Sequence, residues 1–340
     1  MIYKDPVYGK IKISEPVVLE IIKSQDFQRL KGVDQTGYLP LYFKLHSLSS
    51  RRKLQPFEKL TRFEHSLGVF ILLKKFNAPF GEQIAGLIHD VSHTAFSHAI
   101  DYVVSDGSGK THCYQDKIFN GFIKKSEIPS IFKKYDLDLD YILNKDNFPL
   151  LEKELPDLCA DRIDYSFRNA IHFKVLKKRE VDYFLNNLLA ENNLWLFKDY
   201  KSARKYAELF LRLNTIHYAG FPTAVMFQTV ADLLKYALEK KYLKKEDLFT
   251  TDREVISKIK QKLQSDKNLR MFFNRLNGTA KFENNPRNYD INVFCKSRMV
   301  DPFCKYNSAI RRVSEIDKNF GKIIKKELKP KEYFLKFKND

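Results

Sequence analysis

Cysteine is the first scarcity. Only four occur in 340 residues, Cys113, Cys159, Cys295 and Cys304. No two of them form a C-x-x-C pair, which excludes a disulfide framework and the common thiolate zinc and dithiol redox sites. Reduced thiols in a cytoplasm are expected. Long apolar runs are absent too: no stretch approaches the length that crosses a bilayer, and no basic start leads into a hydrophobic segment. The chain therefore reads as soluble, unexported and without a membrane partner. Neither an internal repeat nor a low-complexity linker is present, which argues against a solenoid or tethered domains. Acidic residues are outnumbered, 42 Asp and Glu against 60 Lys and Arg, for a net charge of +18. Such a balance favours polyanions as partners: nucleotides, nucleic acid or acidic surfaces. The lysines are spread throughout and dense at the end ("KIIKKELKPKEYFLKFK"), so they read as a solvated basic face rather than a dedicated groove. Nucleic-acid binding through that surface and homo-oligomerisation both stay open.

Missing residues also dispose of three motifs. "VSDGSGKT" ends like a P-loop, yet Val104 stands where the first glycine belongs, and the segment reads as a turn. "DLDLD", residues 136–140, imitates a calcium loop but has Tyr141 at the glycine position and Asn147 at the final glutamate position. Cys113 beside His112 lacks the context that activates a thiol nucleophile.

What the chain does contain is helix. Residues 1–15 read as a short extended arm turning at Tyr8-Gly9, and helical periodicity then dominates to about residue 245. The interruption at 44–60 ("KLHSLSSRRKLQPFEKL") is basic, broken by Pro56, and reads as a surface loop. Beyond about 284, alternation and proline return, which predicts a few strands. The expected fold is mainly α: a helical core over 1–245 with a small α+β region, 246–340, packed on it.

Three segments concentrate groups that are costly to bury. Thr61 followed by Glu64 makes a capping box, so a helix starts at Arg62 and carries His65 in its second turn among apolar neighbours. A second helix, "GEQIAGLIHDV", ends at His89 and Asp90, with His93, His98 and Asp101 on the next segment. In "ELPDLCADRIDYSFRNAI", Pro156 marks a first helical turn, and Asp157, Asp161, Asp164, Tyr165 and Arg168 share a polar stripe. His65, His89, Asp90 and Asp161 together form an N/O donor set suited to one divalent ion: manganese, iron, magnesium or zinc. Such an ion generates hydroxide near neutral pH and polarises a phosphoryl oxygen. Asp164 reads instead as the structural partner of a neighbouring arginine.

"RFEHSLG", "LIHDVSHTAFSHAID" and "ADRIDY", in this order, resemble the HD-domain phosphohydrolases, in particular their deoxynucleoside triphosphate triphosphohydrolase branch. The likeness spans roughly residues 20–240. It implies that His65, His89, Asp90 and Asp161 bind one metal, and that Arg62, Arg162 and His93 contact the triphosphate. By the same likeness His98 assists departure of the nucleoside 5′-oxygen with Asp101 as its partner, and Gln35, Tyr165 and Tyr218 face the sugar. A relay position falls on either His112 or the Gln115-Asp116 pair. The implied reaction is attack of metal-bound hydroxide on the α-phosphorus of a (deoxy)nucleoside triphosphate, releasing nucleoside and triphosphate. Alternatives are a phosphomonoesterase, a phosphodiesterase acting on cyclic or oligomeric nucleotides, or a nucleic-acid-binding protein with a vestigial site. The loop 44–60 replaces the glycine-rich turn usual in that branch, and no regulatory domain like that of its animal members is evident.

Overall fold

In the computed structural model, residues 1–41, 44–45, 60–278 and 280–338 are described. Their helices, in chain order, are α1 Pro16–Lys23, α2 Gln25–Arg29, α3 Arg62–Lys75, α4 Phe80–Ile88, α5 Tyr114–Ile123, α6 Ile128–Lys134, α7 Leu139–Leu143, α8 Ala160–His172, α9 Lys178–Asn187, α10 Tyr200–Leu213, α11 Phe221–Glu239, α12 Asp252–Lys260, α13 Lys267–Leu276, α14 Val313–Ile316 and α15 Lys318–Glu327. The strands are β1 Ile2–Asp5, β2 Gly9–Lys12, β3 Leu188–Glu191, β4 Leu194–Phe197, β5 Lys281–Asn284, β6 Ile291–Cys295, β7 Phe303–Tyr306, β8 Ala309–Arg312 and β9 Lys331–Lys338. The fold is mainly α with a small α+β part toward the C-terminus, as expected.

Capping starts the central helix where the sequence places it. The Glu64 carboxylate accepts the Thr61 amide N–H (3.1 Å) and the Thr61 hydroxyl, and α3 follows from Arg62. α3 is buried on nearly every side and packs on α4 and α8. Gly86 permits the close approach of α4: a β-carbon there would lie 2.5 Å from Leu73 Cδ1 and 3.1 Å from Val69 Cγ1. One apolar cluster gathers α1, α3, α4, α8 and α10; a second surrounds α11 and takes in Phe96, Ile100, Val293 and Leu335.

The extended arm is a hairpin, β1 against β2, closed over Pro6-Val7-Tyr8 by Asp5, whose Oδ1 accepts the amides of Val7 and Tyr8. Two expectations need correction. Helix dominance to residue 245 is interrupted by the β3–β4 hairpin, whose Leu-Trp-Leu-Phe strand is buried in the first cluster. β4 pairs in parallel with β7, giving the sheet order β3-β4-β7-β8, so the partner that makes 188–197 strand lies about a hundred residues away in sequence. The third site helix begins at Ala160, not at Pro156. The amides of Ala160 and Asp161 donate to the carbonyls of Leu150 and Leu151, so the chain before 160 lies against that segment as irregular backbone. Asp157 is accordingly off the helix and pairs with Arg312. The remaining sheet, β5-β9-β6, is antiparallel. Of the predicted loop 44–60, residues 46–59 lie outside the described residues. "VSDGSGKT" is turns, and within "DLDLD" Asp138 caps α7, its carboxylate accepting the Tyr141 amide.

Candidate metal centre

α3, the end of α4 and the first turn of α8 bring their polar groups to one point. His65 is wholly buried, and its Nδ1 lies 2.8 Å from Asp164 Oδ2 while its Nε2 lies 2.9 Å from Asp161 Oδ1. His89, at the α4 C-terminus, turns Nδ1 toward the Gly86 carbonyl (2.7 Å) and places Nε2 3.3 Å from His65 Nε2 and 3.7 Å from Asp161 Oδ1. A carbonyl acceptor at Nδ1 fixes the His89 tautomer, and Asp164 does the same for His65, so both Nε2 lone pairs face the same space. Asp90 stands beside them, its carboxylate oxygens 3.6 Å from His65 Nε2 and 3.5 Å from His89 Nε2. His65, His89 and Asp161 form the tight set, each offering one ligand atom within 4.8 Å of the others. Two imidazoles and carboxylate oxygen in that arrangement fit a borderline divalent ion.

Titration behaviour gives a second view of the same field. Burial alone would depress both imidazoles. Hydrogen bonding to Asp161 and Asp164 nevertheless raises His65, and Asp90 followed by Asp161 carries His89 up to about 9. Burial opposes ionisation of the carboxylates too, yet Arg62, His89 and His93 hold Asp90 well below the usual range, while His65 and His89 do so for Asp161. Four groups that jointly favour extra positive charge are groups a cation can satisfy.

A brace surrounds the centre. Arg168 donates to both oxygens of Asp164 (2.9 Å each) and to Asp5 (3.1 Å), and the Tyr8 hydroxyl donates to Asp164 (2.9 Å). The N-terminal hairpin thus reaches the residue that orients His65. Arg62 has every donor nitrogen engaged, on Ser97 Oγ, Asp90 and the Gln35 carbonyl. Phe96 and Ser97 hold left-handed backbone (φ 62° and 46°), locked by the bonds from Phe96 N–H to Asp252 and from Ser97 Oγ to the Asp34 carbonyl.

Beside the centre opens a cavity of about 520 Å³, within the range of small-molecule sites. Of the residues singled out in the sequence, Gln35, Arg62, His89, Asp90, His93, His98, His112, Asp161, Arg162, Tyr165 and Tyr218 line it, and so do Gln115 and Asp116. Asp101 lies just behind: its Oδ2 is 3.5 Å from His98 Nδ1, neither atom has another partner, and its Oδ1 accepts the Tyr114 amide. His112 stacks on His98 at 4.7 Å, whereas Gln115 bonds Ser92 and the His89 carbonyl. His112 is therefore the neighbour of His98. Burial and then Arg62 push His93 down to about 4; His98, with the same leading causes, and His112, through burial and then His98, fall well below the usual imidazole range. Tyr165 and Tyr218 meet edge to face at 5.5 Å. The cavity also takes Lys110, the lysine of the discarded "VSDGSGKT" stretch, and Asn169, His217, Lys296 and Arg298, which the sequence signals through no local motif. "CKSR" reads only as basic residues after a strand.

Residues 62–167 match the HD domain. Over 305 residues the chain is 33% identical to the uncharacterized protein YdhJ of Bacillus subtilis, covering 88% of this chain and 86% of that protein. The chain belongs to the HD-domain family. Its HD domain thus holds α3, α4 and the opening turns of α8, the three elements that converge on the centre. A second relative is the metal-dependent phosphohydrolase cns2 of Cordyceps militaris, 34% identical over 191 residues, 56% of this chain and 51% of that protein. The deoxynucleoside triphosphate triphosphohydrolase SAMHD1 of Danio rerio is 34% identical over 115 residues, 29% of this chain and 16% of that protein. A crystal structure of a hypothetical protein from Aquifex aeolicus shares the fold across 98% of this chain and 95% of its own, with a TM-score of 0.71 and 19% identity. The fold shared with that protein therefore extends over the C-terminal part of this chain that lies outside the HD match.

Proposed function

We propose that the protein is a metal-dependent phosphohydrolase acting on (deoxy)nucleoside triphosphates, releasing nucleoside and triphosphate. The observation that carries this reading is the junction of an ion-sized His65–His89–Asp161 cluster, flanked by Asp90, with a cavity holding neutral imidazoles and free cations. The metal-dependent phosphohydrolase among its relatives supports the reaction class, and the shorter likeness to SAMHD1 supports the nucleotide class. When bound at His65, His89, Asp90 and Asp161, a divalent ion supplies an acidified water and polarises a phosphoryl oxygen.

The chain's own groups do the rest. Arg62 fixes Asp90 through a 2.8 Å ion pair, and His93, 3.1 Å from the other oxygen, completes its orientation. His98 is neutral because burial, Arg62 and Arg298 all oppose its protonation. An entering polyphosphate offsets those cations, so His98 gains a proton when substrate is present and can pass it to the leaving 5′-oxygen, with Asp101 steadying its far nitrogen. Gln35, Tyr165 and Tyr218 wall the part of the cavity that takes the sugar. Four unpaired cysteines, three of them buried, fit the reducing compartment expected from composition. In the test, purified protein is incubated with a panel of nucleotides and manganese or other divalent ions, and the products are separated. Nucleoside and triphosphate in equal amounts are expected, with Asp161→Ala inactive. Nucleoside monophosphate or orthophosphate as the first product would replace this activity by a phosphodiesterase or a monoesterase.

A further inference from the structure

Six cations line the cavity. Lys110 is exposed and lies over the Phe294 ring (3.9 Å), Lys153 accepts an Arg162 N–H at its carbonyl, and the other four fall into two kinds. Arg62 spends its donors on Ser97, Asp90 and Gln35, and Arg162 gives both terminal nitrogens to the carbonyls of Asp157 and Lys153. Lys296 and Arg298 differ. Among the described residues the Lys296 ammonium has no hydrogen-bond or ion-pair partner, and Arg298 gives a single N–H to His112 Nδ1 (3.2 Å). Both belong to the loop leaving β6, outside the HD match of residues 62–167.

That loop is rigidly held. At its start the Tyr102 hydroxyl donates to the Phe294 carbonyl (2.6 Å). Wholly buried Asn214 accepts the Arg298 amide (2.8 Å) and donates to Ser297 Oγ (2.8 Å), which donates in turn to the Glu327 carbonyl (2.6 Å). Ser297 spends its hydroxyl on this buried anchor, and Lys296, Ser297 and Arg298 all line the cavity. Two cations held side by side in a partly dehydrated wall repel: burial and then Arg298 bring the Lys296 ammonium down to about 8. The carboxylates of Asp116 and Glu152, which also line the cavity, offset part of that charge, and an incoming polyanion meets the remainder.

We propose that Lys296 and Arg298 are the polyphosphate-binding arm of the site, holding the phosphates beyond the one attacked. This rests on the nucleotide reading above and deepens it. The HD domain provides the reacting centre, and the C-terminal loop distinguishes a triphosphate from a monophosphate by the charge it meets.

Calorimetric titration of the full chain with inorganic tripolyphosphate in EDTA reads the arm without metal or turnover. Wild type is expected to bind, with Lys296→Met and Arg298→Gln each weakening binding about tenfold, the scale of one charge-assisted hydrogen bond. Arg298→Lys should recover most of the loss, and thermal melts of all three variants should overlay wild type. Absence of binding by wild type, or equal binding by wild type and both charge-removing variants, overturns the proposal. Should Lys296→Met fail to fold, the comparison of Arg298→Gln with Arg298→Lys decides alone. Variant-sensitive tripolyphosphate binding in a chain that leaves every nucleoside triphosphate intact would refute the proposed activity and keep the arm. Turnover with KM unchanged in both variants would keep the activity and refute the arm.

Discussion

His65 shows how much one side chain can be asked to do. Its two nitrogens face two carboxylates, Asp161 on the ligand side and Asp164 on the brace side. Metal binding requires neutral imidazoles, and both His65 and His89 stand above their ordinary values, His89 at about 9. At pH 7.5 the ion must therefore displace protons, and its apparent affinity should rise with pH until His89 is neutral. Calorimetry in buffers of different ionisation enthalpy should give release of about one proton or more per ion at pH 7.5, falling toward none above pH 9. A proton count of zero at pH 7.5 would mean that the ion does not meet these imidazoles. Asp164→Asn keeps the shape of the brace but removes the charge that orients His65, and the expected cost is about 10–100-fold in metal affinity. His65 was legible because its motif is local: a capping box fixes the helix start, and the start fixes which turn the histidine occupies. Asp164 was legible only as the partner of an arginine, since the contribution of Asp5 and Tyr8 comes from a hairpin that sequence proximity does not connect to it.

Elements carry the next level of constraint, and Gly68 marks where it is tightest. A β-carbon at this position in α3 would lie 2.0 Å from Arg168 Nη2 and 2.2 Å from Asp164 Oδ1. Mid-helix glycine normally costs about 1 kcal/mol relative to alanine, so a helix-propensity argument predicts that Gly68→Ala stabilises. Contact with a buried ion pair predicts the reverse. Asp164 and Arg168 are fully enclosed and bonded on several sides, so neither can step back. The clash should win by about 2–3 kcal/mol, the scale of overpacking in a tight core, and urea unfolding of the variant measures it. Gly68→Ala should also weaken metal binding, because it displaces the carboxylate that holds His65. The helix bearing that carboxylate was misplaced at its start. Pro156 is a fair sign of a first helical turn, but the amides of Ala160 and Asp161 find acceptors in Leu150 and Leu151 instead. That long-range pairing puts Asp161 in the first turn, where its carboxylate meets two imidazoles, and no local signal announces it.

Across the whole molecule, the same asymmetry separates what was readable from what was not. The HD helices announce themselves because capping and ligand spacing act within a few residues. The C-terminal contribution does not: β4 finds β7, and Lys296 and Arg298 reach the cavity, only through contacts between segments about a hundred residues apart or more. A further long-range contact joins residues 218 positions apart in sequence. Asp34 and Asp252 are neighbours: the Asp34 amide donates to Asp252 Oδ2 (2.9 Å), the Phe96 amide donates to Asp252 Oδ1 (2.7 Å), and Asp34 Oδ2 accepts the Leu39 amide (3.0 Å). Burial raises Asp34 to about 6, and burial followed by the Asp34 charge raises Asp252 well above the usual range. A folded carboxyl raised in this way keeps its proton above pH 4 while the unfolded chain releases it. Its contribution is complete below about pH 4 and is lost as pH climbs through about 6. His93 and His172, both pushed down to about 4, act in the opposite sense over much of the same window. The clean readout is therefore the difference between wild type and Asp34→Asn, which retains an oxygen for the Leu39 amide and cannot ionise. Relative to wild type, the variant should gain on the order of 1 kcal/mol between pH 4.5 and pH 7.5 in urea unfolding. A constant difference across that range would mean that the two carboxylates do not share a proton, and that residues 34 and 252 are joined only by the Asp34 amide donating to the Asp252 carboxylate.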